Sequence, residues 1–149
     1  MGRDFETIPL YSQANVLFAA QDHPLFRKEA IRPEDLLEYP WLALFAVNIA
    51  LAGIDAYFSR HDLPNPQVAI QSNSIQIALK MLTDHQCIAC MPAPLVEAFP
   101  DAGLREIDIE GFRWEVPTGL TYRKNMADFA TIARICRLLK RETRKHAAR

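Results

Sequence analysis

The chain has 149 residues, half of them hydrophobic, with 17 Lys and Arg against 18 Asp and Glu and a formal net charge of -1. That size and apolar content suit one domain, or two small lobes on one chain, with a real core, and they exclude a disordered chain. The charge balance argues against a surface that tracks nucleic acid along its whole length, no apolar run reaches a membrane span, and three cysteines suit reduced thiols in the cytoplasm. The first clear element is the apolar strand Val16 to Ala20, ended where Pro24 removes an amide. A short helix is expected from Arg32 to Leu37, with Pro33 in its first turn and Glu34 and Asp35 near the positive end of its dipole. Trp41 to Phe45 reads as a second strand. A helix follows with Leu51, Ile54 and Phe58 on one face, then the rigid connector Leu63-Pro64-Asn65-Pro66.

The organising stretch is Val68 to Pro92. Val68 to Gln71 suits a buried strand. Asn73 with Gln76 three residues on is expected to form a capping box, and Ile75, Ala78, Leu79 and Leu82 make the apolar stripe of a helix on a sheet. Cys87 to Met91 is a second buried strand, stopped by Pro92. Strand, helix, strand implies a parallel pair with a right-handed crossover. Beyond it come a two-turn helix from Pro94 to Phe99 and strands at Leu104 to Ile109 and Trp114 to Tyr122. The last helix, capped by Asn125, carries the stripe Phe129, Ile132, Ile135, Cys136 and Leu139. Alternating strands and helices give an α/β fold.

In such a sheet, ligands settle at the carboxyl ends of the strands. Here those ends are Ser72-Asn73-Ser74 and Met91-Pro92. Free amides at a helix start favour a carboxylate, and the serine hydroxyls and the asparagine amide can orient one. The bland alternative is that Asn73 and Ser74 only cap their helix, and for each residue singly that reading is as good.

His85, Cys87 and Cys90 form an H-x-C-x-x-C string, but on a strand the two cysteines point to opposite faces and no second cluster completes a ligand set, so no metal is expected. No cofactor is expected either. His23, His61 and Cys136 lie in unrelated segments, and neither a nucleophile elbow nor a phosphate-binding or dinucleotide glycine pattern appears, so no enzyme is expected. The basic run from Lys140 to Arg149 reads as a solvated helix end rather than a nucleic-acid tail, and Trp41, Trp114 and Tyr57 read as core or interface.

The ordered set V-L-F-A-A-Q-D-H-P-L, P-E-D-L-L-E-Y-P-W-L, V-A-I-Q-S-N-S-I, C-I-A-C-M-P and L-T-Y-R-K resembles the effector-binding domain of LysR-type transcriptional regulators, from about Ile8 to about Leu139. The resemblance implies a fold similar to type-2 periplasmic binding proteins, two α/β lobes with a small-molecule cleft between two crossovers. It divides the chain into residues 1–25 (last strand of the first lobe and the outward crossover), 26–114 (second lobe, nearly whole) and 115–149 (return crossover, first-lobe strand and final helix). It assigns effector binding to Phe45, Ala46, Val47, Asn48, Ser72, Asn73, Ser74, Met91 and Pro92, and the hinge to Gln21, Asp22, Val116 and Pro117. The sequence departs from the family's glycines before the I-A-x-x-P strand, reading His85-Gln86-Cys87.

The expected function is a cytoplasmic sensory domain that binds a small, anionic metabolite and controls a DNA-binding domain lying elsewhere. The alternative is a solute-binding lobe of the same fold outside transcription. Because the family's winged helix-turn-helix and first strand–helix units have no counterpart here, the chain is expected to be a C-terminal fragment, with weakened effector binding. Partners follow: the effector, a homodimer or higher homo-oligomer held by uncovered apolar faces, DNA only through the missing domain, and no membrane.

Overall fold

The structure is a computed structural model and describes residues 4–44, 48–126 and 130–147. The chain divides into two units, residues 14–114 and residues 1–13 with 115–149.

The larger unit is built on a sheet. Strand β1 (Phe5–Ala20) enters it with its second half, and β2 (Trp41–Leu44), β3 (Val68–Ser72), β4 (Ile88–Pro92) and β5 (Leu104–Ile107) complete it in the order β3-β2-β4-β1-β5. β2 runs parallel to both β3 and β4, whereas β1 is antiparallel to β4 and β5. The expected crossover is therefore present with one correction: β3 and β4 are parallel but not neighbours, because β2 lies between them. Composition explains the order. β2 and β4 are apolar almost throughout and take positions buried on both faces. β3 places Ala69 and Gln71 in solvent and is an edge strand, not the buried one its apolar start implied.

Helices cover both faces, and strand alternation sorts the core into two. On one face α1 (Asn48–Arg60) sets Ile54, Tyr57 and Phe58 against Leu17, Trp41, Ile88 and Cys90. On the other, α2 (Ile75–Asp84) sets Ala78 and Leu82 against Val16, Phe18, Leu42, Ala89 and Met91. The proposed α2 stripe is only half right, since Ile75 stays 37% exposed. The segment expected as a helix at residues 32–37 is a 3-10 turn, Pro33–Glu38, held by the Arg32 amide donating to Asp35 Oδ2 at 2.7 Å and by Lys28 Nζ at 2.6 Å from Asp35 Oδ1. α3 is shorter than expected, Ala93–Glu97.

The smaller unit pairs the first half of β1 with β6 (Trp114–Arg123) and adds α4 (Ala130–Ala147). Sequence reading began β1 only at Val16, because Pro9 and the alternating polar residues of T-I-P-L-Y-S-Q hide a ribbon strand. Gly119 is required where the ribbon closes: a Cβ there would stand 2.7 Å from the Ile8 carbonyl oxygen. Asn125, the expected cap of α4, lies in a 3-10 turn, Lys124–Met126. Of the α4 stripe, Phe129 lies outside the described residues. Ile132 and Cys136 are half-buried, and Ile135 and Leu139 remain exposed, as does neighbouring Leu138.

The division at 13/14 and 114/115 moves one expected boundary. Val16 to Ala20 belongs to the larger unit, and Gln21 and Asp22 form the turn after β1, within that unit. The reason is pairing: Asn15 to Ala20 bond to β4 and β5, so the strand cannot be separated from that sheet.

Candidate functional site

Register fixes the rim of the larger unit. Leu44 pairs with Ser72, and Leu42 pairs with Ala89, so Leu44, Ser72 and Met91 end on one level of three parallel strands. β1 adds Asn15 to this rim, opposite Pro92. The two turns expected to face one hollow therefore leave the same edge of the sheet.

The β3 end is a locked turn. Ser72 is nearly buried, its Oγ accepts from the Ser74 amide at 3.1 Å, and the hydroxyl lies 3.3 Å from the Ser74 carbonyl. The helix cap falls one residue later than expected: Ser74, not Asn73, is the N-cap, its Oγ accepting from the Ile77 amide at 3.4 Å. Asn73 is exposed. Both hydroxyls are thus spent on the turn, and what it presents outward is the unpaired first-turn amides of Ile75 and Gln76, with the positive dipole end behind them. The β4 end offers less. Met91 is buried and Pro92 half-buried, and α3 is a five-residue helix with Pro94 in its first turn, which removes an amide. Of the β2 end, Phe45, Ala46 and Val47 lie outside the described residues, and Asn48 is the first residue of α1.

Around this rim the chemistry is quiet. Cys87 belongs to the α2-side core and Cys90 to the α1-side core, so the two thiols lie on opposite faces of β4 and cannot share an ion. Burial raises the pKa of both thiols, that of Cys90 to about 12, which leaves them protonated and unreactive. A small cavity of about 20 Å³ opens between β2 and α1, lined by Leu44, Leu51, Ile54, Val68 and Cys90 among others.

Two residues given no site role by the sequence lie at opposite ends of β4, Gln86 just before it and Asn15 across from its last residue. Gln86 takes the left-handed conformation, φ 49°, at the turn where the resemblance leads one to expect glycines, and its carbonyl accepts from His23 Nε2 at 3.0 Å. The turn shape survives without glycine, held by a histidine from another segment. Asn15 is 1% exposed, and its Oδ1 has no hydrogen-bond partner among the described residues. Its signal was a lone amide side chain opening the apolar run A-N-V-L-F-A-A.

Residues 1–144 match the family described as the LysR substrate binding domain. Similar solved structures include a putative transcriptional regulator from Vibrio parahaemolyticus, with 15% identity over 97% of this chain and 68% of that one, at a TM-score of 0.75. The effector-binding domain of QuiR in complex with shikimate matches at 19% identity over 96% and 67%, TM-score 0.71. The regulatory domain of MetR, a LysR family regulator from N. meningitidis, matches at 16% over 95% and 65%, TM-score 0.69. The chain spans about two thirds of the length of these solved domains. They share its fold, the type-2 periplasmic-binding-protein-like α/β fold anticipated from the motifs. With residues 1–144 matched, the chain belongs to the family of LysR substrate binding domains.

Proposed function

We propose that the domain senses a small carboxylate at the rim of the larger unit and relays its presence to a DNA-binding domain of the same regulator. The observation that carries this is the Ser72-locked turn, which presents the Ile75 and Gln76 amides at the edge shared by Leu44, Met91 and Pro92. Phe45 to Asn48, Asn73 and Ser74 complete the proposed lining. That QuiR's domain was solved with shikimate, a hydroxylated carboxylate, fits an anion at this position. The domain binds and releases its ligand unchanged, since its buried thiols are protonated and its buried histidine is spent on structure.

Relay follows a population shift: the ligand must favour one arrangement of the domain over another, and couplings of about 1–3 kcal/mol suffice. The chain passes between its units at 13/14 and 114/115. Val116 and Pro117 beside the second passage are the hinge candidates; Gln21 and Asp22, seven or more residues from the first, are weaker ones. The regulator works in the cytoplasm as a homo-oligomer and meets DNA through another domain. Self-association is supported by Ile135, Leu138 and Leu139, each more than a third exposed on α4. Sedimentation at micromolar concentration should give a dimer or larger, and a monomer would count against it. Nothing in the comparisons favours a solute-binding lobe outside transcription.

A thermal-shift screen of small carboxylates, shikimate included, tests the binding. A ligand at 100 times its Kd adds about 2.7 kcal/mol, or roughly 5–10 °C for a chain of this size. If no carboxylate raises Tm, the anion assignment is lost.

A further inference from the structure

Asn15 is the polar group that the fold leaves unexplained. It sits at the carboxyl rim, directly opposite Pro92 on β4, on the face it shares with Leu17 and Cys90. It is 1% exposed, yet its Oδ1 meets no donor among the described residues. Two other buried polar atoms share this condition, Tyr57 Oη and Trp114 Nε1. Tyr57 is packed among Phe58, His61 and Phe112, the latter two met at the far end of α1 from the rim, and Trp114 lies against Gly53 and Phe112. Only Asn15 stands on the rim itself. A buried amide oxygen without a partner is a cost the native state normally avoids. At a ligand rim, that cost is recovered when a guest supplies the donor.

We propose that Asn15 is a specificity residue of the effector site, its Oδ1 accepting a hydrogen bond from a hydroxyl of the ligand. The assignment rests on the carboxylate reading above and narrows it. Asn15 on β1 and the α2 amides after β3 are three strand steps apart along the rim, about 14 Å at ordinary spacing. Asn15 is on the α1 face and α2 is packed on the other, so a guest must lie over the strand ends. Allowing a hydrogen bond of about 2.9 Å at each end, and some lean of the side chain, leaves roughly 5–8 Å between the ligand's carboxylate and its hydroxyl. A 2-hydroxy acid is too short. A six-membered ring with the hydroxyl across from the carboxylate fits that span.

The test uses the full 149-residue chain as wild type, Asn15→Leu and Asn15→Ala, with benzoate, 2-hydroxybenzoate, 4-hydroxybenzoate and methyl 4-hydroxybenzoate as probes in thermal shift and calorimetry. Without ligand, the leucine variant should melt at or above wild type, because a same-sized apolar group removes the orphan. With ligand, wild type should prefer 4-hydroxybenzoate to the other two acids about 10-fold, and both variants should lose that preference while still answering benzoate. Both variants melting several degrees below wild type, or keeping the preference, would overturn the role of Asn15 while leaving the carboxylate reading intact. If wild type answers only the neutral ester and the variants do not, Asn15 stands and the carboxylate reading falls. No response to any probe overturns the assignment as stated.

Discussion

His23 is where a single proton should be felt across the larger unit. The ring is 1% exposed, with Nε2 3.0 Å from the Gln86 carbonyl oxygen, Nδ1 3.2 Å from the Leu25 amide, and its centroid 4.5 Å from that of Tyr39. Only the neutral tautomer with hydrogen on Nε2 serves both bonds, donating to Gln86 and accepting from Leu25. Burial lowers the pKa below its ordinary 6.5, against smaller upward pulls from the Gln86 bond and the Asp22 charge. The unfolded chain therefore takes up the proton first as pH falls. Stability from this residue is complete above about pH 6.5 and drains away as pH drops from there toward the lower folded-state value. Protonating Nδ1 sets two N–H groups against each other, and losing such a buried bond costs about 1–3 kcal/mol. At about 2–4 °C per kcal/mol for a chain this size, Tm should fall several degrees between pH 7.5 and 5. His23→Gln should melt lower than wild type at neutral pH, and the gap should close on acidification. Calorimetric Tm across that range, with the His23 ring proton followed by NMR, gives the answer. Parallel pH slopes for the two proteins, or a titration midpoint at or above 6.5, would refute the reasoning.

Leu82→Ala, at a fully buried position on α2, should cost about 2–5 kcal/mol in urea unfolding, the usual range for emptying a packed core site. Gln86→Gly should raise Tm, since it relieves about 1–2 kcal/mol of left-handed strain and the His23 bond uses only its backbone carbonyl. An unchanged or lower Tm would mean the turn is held by its side chain. Gly119→Ala should lower stability by roughly 1–3 kcal/mol, because the added carbon meets the Ile8 carbonyl, a backbone atom that can yield only by opening the ribbon. Hydrogen exchange should then speed up at Thr7 and Thr121, which are hydrogen-bonded at 2.9 Å across it.

Local sequence was enough for much of this protein. The α2 core positions Ala78 and Leu82, the apolar runs of β2 and β4, and the strand-to-helix turn at Ser72 to Ser74 depend on contacts within a few residues, so periodicity and turn chemistry reveal them. The ordered motifs likewise carried the family. What they could not carry was pairing. That β2 rather than β3 borders β4, that β3 is an edge, and that β1 runs unbroken from one unit into the other are settled by strands that meet across long stretches of chain. The same holds at the rim. The serines were visible as a cap or an anion site, but only packing shows that their hydroxyls are consumed by the turn. Only the β1–β4 register brings Asn15, nearly eighty residues away, to face Pro92 with its amide oxygen unanswered. A side chain's partners are set by whichever strands the sheet places beside it, and that choice belongs to the whole chain.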